Sequence, residues 1–68
     1  MTPENIYREV RKLVYVLNKW GNCLVPSIYD DKRDTTALER LDWLMEKAKT
    51  EHGLSVYDVE TGIAGLGE

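Results

Sequence analysis

Ile6, Val10, Leu13, Leu17 and Trp20 recur at intervals of four, three, four and three residues. That spacing lays one apolar stripe along an α-helix and makes no sense on a strand, where successive side chains alternate faces. Tyr7 and Val14 widen the stripe, and both ends are marked. Thr2 can cap free amides, Pro3 suits the first helical position because its missing N–H costs nothing there, and Glu4 favours the positive end of the dipole. Gly21 can take the left-handed conformation that ends a helix. The pattern predicts a helix from about residue 3 to residue 20.

A second stripe lies in "LERLDWLMEKAK", residues 38 to 49. At about 100° per residue, Leu38, Leu41, Leu44, Met45 and Ala48 share one side. Thr36 and Glu39 have capping-box spacing, each side chain satisfying a backbone amide at the other's position. Gly53 follows His52 as a stop, so a helix is predicted over about 36 to 52. Two such helices bury their stripes by packing antiparallel, with a core of Ile6, Val10, Leu13, Leu17, Leu38, Leu41, Leu44, Met45 and Ala48.

Between them, "NCLVPSIYDDKRD" has no helical period and Pro26 deters one. Leu24, Val25, Ile28 and Tyr29 are costly to leave in water, so residues 21 to 35 read as an extended segment laid across the core, with a short strand on either side of Pro26 as an option. A shorter element is expected over 55 to 64. Ser55 and Asp58 form a second capping-box match and Val56, Val59 and Ile63 fit a helix, while the alternation in "SVYDV" fits a strand. "TGIAGLGE" holds three glycines in eight residues and is expected to fray. The expected fold is mainly α: one small compact domain of two antiparallel helices, a short third helix or strand, and an extended connection.

Sixty-eight residues stand near the size at which one hydrophobic core just suffices. Cys23 is the single cysteine and cannot close an internal disulfide, and with His52, the single histidine, it falls short of a zinc ligand set. Stability must come from packing or self-association. A hydrophobic content of 43% with 31% charged residues fits a globular chain rather than a disordered tail. The longest apolar run, "LVYVL", is far too short for a membrane span, and "MTPENIYREVRK" lacks the form of a secretory signal. A free thiol without an export signal points to a cytoplasmic protein. A freestanding domain of this size suits a bacteriophage or mobile-element gene.

Catalysis is not expected. Cys23 and His52 form no motif, and packing for the thiol and a helix-terminal role for the imidazole are favoured. Asp30, Asp31 and Asp34 crowd "YDDKRD" but lack the glycine and closing glutamate of a calcium loop, so a solvated, helix-initiating loop is the better reading. No cofactor is expected, and no glycine-rich phosphate cradle is present.

Charge is uneven. Residues 1 to 33 carry six basic and four acidic groups, whereas residues 34 to 68 carry three basic and eight acidic, giving +2 and −5. Arg8, Arg11, Lys12 and Lys19 collect on the polar face of the first helix around Tyr15, a surface able to receive phosphate and stack on a base. Ordinary solvation of a helix face competes with that reading. "KTEHGLSVYDVETGI" can form two helices about a glycine turn, but its second helix offers Asp58 and Glu60 and no basic residue, which argues against reading DNA.

Trp43 is the exception to the second stripe, because its phase sets it among Glu39, Glu46 and Lys47 on the charged side. Either the chain's own extended segment or tail covers it, or it meets another chain, where tryptophan is a frequent energetic anchor. The expected function is therefore protein binding. The chain is read as an adaptor, regulator or inhibitor acting through a helical surface at Trp43, Glu39 and Lys47, with self-association among its partners. Nucleic-acid binding through the first helix and acidic mimicry of nucleic acid are the alternatives.

Overall fold

The computed structural model describes residues 2 to 25 and 35 to 66. The sequence expectations for Pro26, Ile28, Tyr29, Asp30, Asp31 and Asp34, and for the last two residues, lie outside the described residues. In chain order the elements are α1 (Pro3–Trp20), β1 (Leu24–Val25), β2 (Thr35–Thr36), α2 (Ala37–His52) and α3 (Val56–Ala64). The described residues are mainly helical, a compact globule of three helices with a small antiparallel strand pair.

Local chemistry sets each boundary. The Thr2 hydroxyl accepts from the Asn5 amide at 3.2 Å at the start of α1. Gly21, with φ of 77°, turns the chain away at its end, its amide bonded to the Leu17 carbonyl. Both capping boxes form: Thr36 with Glu39 opens α2, and Ser55 with Asp58 opens α3. Gly53 closes α2 in the left-handed conformation, and the following Leu54 amide reaches back to the Ala48 carbonyl at 3.0 Å. The third element is thus a helix and not a strand. β1 pairs with β2 in the register Leu24 to Thr36 and Val25 to Thr35. The Ala37 amide donates to the Cys23 carbonyl at 2.7 Å, which ties the residue before β1 to the start of α2.

Ile6, Val10, Leu13, Ala37, Leu44, Ala48 and Val59 form the buried core, with Leu17, Leu41, Met45 and Ile63 partly buried against it. Two members of the expected stripes are corrected. Leu38 is 48% exposed, because the buried arc of α2 centres on Ala37, Leu44 and Ala48 and Leu38 lies beyond its edge. Trp20 is 61% exposed. Its phase lies within roughly 20° of buried Leu13, so its exposure comes from its place at the very end of α1, where Gly21 turns the chain away.

Thr61 to Ala64 are helical rather than frayed. Gly62 is used for contact: a Cβ there would overlap the Tyr7 ring, so the missing side chain is what lets α3 close against α1.

Candidate functional site

Trp43 is half-buried and packed against the core, so part of the ring is covered by its own chain, the first of the two alternatives for it. Its neighbours at i−3 and i+4 fall on the same side of α2. The Arg40 guanidinium stands 4.6 Å from the ring centroid and the Lys47 ammonium 5.4 Å. Arg40 is itself only 4% exposed. A planar, weakly hydrated guanidinium tolerates such a position far better than an ammonium, and the electron-rich ring face attracts both cations. Lys47 is held in place by Glu51, at 3.1 Å, and the Glu51 carboxyl lies below its ordinary pKa because Lys47 donates to it and attracts its charge. Glu39 is engaged in the α2 cap. Trp43, Glu39 and Lys47 thus each have a partner within the chain, while Glu39 stays exposed and the other two are half-buried.

The exposed tryptophan is Trp20. Its ring meets Tyr15 edge to face, with centroids 5.9 Å apart, and the Lys19 ammonium stands 5.8 Å from the Trp20 ring and 5.9 Å from that of Tyr15. Tyr15 is also exposed. The end of α1, the strand pair and the start of α2 converge here, because the Asn22 side chain accepts from the Leu38 amide at 2.8 Å. Exposed Leu24 and Leu38 belong to this same end of the molecule. Isolated surface apolar residues are ordinary, whereas two exposed aromatic rings in contact, with two exposed leucines on neighbouring elements, mark this end of the molecule. The sequence signal was Trp20's place just before Gly21, at the helix end.

Arg8, Arg11, Lys12 and Tyr15 do share one open depression on the outer face of α1, but Glu9 lines it with them. Arg8 pairs with Glu4 at 3.0 Å and Lys12 with Glu9 at 3.9 Å, so much of the face is compensated locally. Such exposed pairs are weak and would open to a phosphate. Lys19 belongs to the aromatic end instead.

Cys23 and His52 do not come together. Cys23 lies beside the first residue of α2 and His52 is its last, and a helix of that length separates its ends by roughly 22 Å. Among the described residues, no three His, Cys, Asp or Glu side chains are placed to hold a metal ion, and no helix is long and apolar enough to cross a membrane. No protein-family profile, curated protein or solved structure matches the chain.

Proposed function

We propose that the chain is a small cytoplasmic protein-binding domain, an adaptor, regulator or inhibitor, that engages its partner through the aromatic end of α1. The observation that carries this reading is Trp20, 61% exposed and braced by Tyr15 and Lys19. A large ring held in one orientation loses little freedom on binding and contributes broad contact area, which is why tryptophan and tyrosine dominate interface energetics. Leu24 and Leu38 extend the apolar footprint. Trp20 offers more free ring than Trp43, which is half-buried against the core.

A photo-crosslinking residue at position 20, with one at position 57 as an exposed control, tests the proposal in the native cell. Position 20 should capture a defined partner, a second copy of the chain included. With that partner purified, Trp20→Ala should weaken binding by about 30-fold, equivalent to ~2 kcal/mol. Unchanged affinity would overturn the reading. A second reading, nucleic-acid binding, draws on the continuity of Tyr15 and Lys19 with the basic outer face of α1. It calls for affinity that collapses as salt rises, which a tryptophan-centred protein contact does not show.

A further inference from the structure

Val10 and Val14 of α1, Leu41 and Met45 of α2, and Val56 and Ile63 of α3 line a cleft of about 200 Å³ where the three helices meet. It is smaller than the roughly 300–1,000 Å³ of small-molecule sites. It continues along α2 and the start of α3, since Met45 and Val56 also line the neighbouring depression with Asp42, Glu46 and Lys49. Val56 is 60% exposed and Val14 is exposed beside it.

The charges around this cleft are distinctive. Of the eight acidic residues described, Glu4 and Glu9 pair with Arg8 and Lys12, Glu51 pairs with Lys47, and Glu39 and Asp58 cap helices. The three remaining carboxylates, Asp42, Glu46 and Glu60, are exposed and enter no ion pair or side-chain hydrogen bond among the described residues. All three line the cleft and its continuation, against one lysine, Lys49.

We infer that this groove docks an amphipathic helix of a partner protein, one whose apolar anchors enter the cleft while flanking lysines or arginines meet Asp42, Glu46 and Glu60. Side-chain-sized room between helices suits anchors at i, i+3 or i+4 and i+7 spacing, and Met45 supplies a floor that adapts its shape. The surrounding carboxylates select a basic flank and repel an acidic one. The site is separate from the aromatic end of α1, so the two proposals stand or fall independently.

The probe is a synthetic 14-residue helical peptide with leucines on one face and lysines on the other, titrated into the full chain labelled with nitrogen-15. Amide shifts should centre on Val14, Met45, Val56 and Glu60, and Trp20→Ala should leave them unchanged. Replacing Asp42→Asn, Glu46→Gln and Glu60→Gln together should weaken binding by about tenfold. Val56→Ser, a change at an exposed position, should abolish the shifts while circular dichroism stays native. The inference is overturned if a scrambled peptide of the same composition binds equally, if the triple variant binds as tightly, or if the shifts centre elsewhere. It is also overturned if the groove amides move with protein concentration alone, because the occupant is then a second copy.

Discussion

Trp20 and Trp43 are the same side chain in two helices, each with a cation near its ring face, and they end in opposite circumstances. Lys19 stands 5.8 Å from Trp20, and Arg40 stands 4.6 Å from Trp43. Trp43 lies in the middle of α2, where Arg40 and Lys47 approach from one turn on either side and the core lies against it. Trp20 is the last residue of α1, with Gly21 turning the chain away immediately after. A ring is covered when neighbours exist on both sides of it along the helix. At a helix end, half of those neighbours are missing.

The comparison can be broken most directly by truncating each ring. Trp43→Ala should cost about 2 to 3 kcal/mol in urea unfolding, less than a fully buried tryptophan because the ring is half-covered. Trp20→Ala should stay within ~0.5 kcal/mol. In a domain with only a few kcal/mol in reserve, Trp43→Glu should leave much of the protein unfolded. Equal losses at the two sites would erase the distinction. Fluorescence sharpens it: a Trp20→Phe variant, reporting Trp43, should emit at shorter wavelength and resist acrylamide quenching better than a Trp43→Phe variant.

The tyrosines of α1 repeat the contrast. Tyr7 packs against Gly62, whereas Tyr15 faces water. Gly62→Ala should lower stability by about 1 to 2 kcal/mol through overpacking, even though alanine favours a helix more than glycine does. A raised melting temperature would mean the Tyr7 ring yields easily. Tyr15→Ala should be close to neutral for folding.

Smaller effects probe the cover over Trp43. Lys47→Met should cost about 0.5 to 1 kcal/mol and alter the emission of Trp43 but not that of Trp20. The weakest expected effect is pH-dependent. Because Lys47 lowers the Glu51 pKa, the pair's contribution is complete above the unfolded-state pKa and is lost as pH falls through the lower folded value. Titration followed by NMR should find the Glu51 midpoint below the usual glutamate range, and Lys47→Met should restore it. High salt should shrink the shift, since both groups are exposed.

Helix starts and stops were legible because they depend on residues three or four positions apart. Thr2 with Asn5, Thr36 with Glu39 and Ser55 with Asp58 make their capping bonds within a single turn. The inner stripe was legible too, and Ile6, Val10, Leu13, Leu44 and Ala48 are buried. The pairing of Leu24 with Thr36 was not, since two-residue strands leave no periodicity to read. Nor was the aromatic end of α1. Its parts, Trp20, Leu24 and Leu38, come from three elements gathered by an Asn22 side chain reaching sixteen residues along the chain.

The sequence by itself determined where the first two helices begin and end, where the third element begins and the centre of the inward arc of α1, because capping and periodicity are local and each residue's contribution is set within a turn or two; it left the third element open between helix and strand. Only the tertiary structure decided how far each buried arc extends. It covered Trp43, drew Arg40 inside, turned Gly62 into a contact and left Trp20, Leu38 and Val56 in water. The physical reason is that a side chain's phase fixes the direction in which it points, whereas its burial depends on what distant parts of the chain bring to meet it.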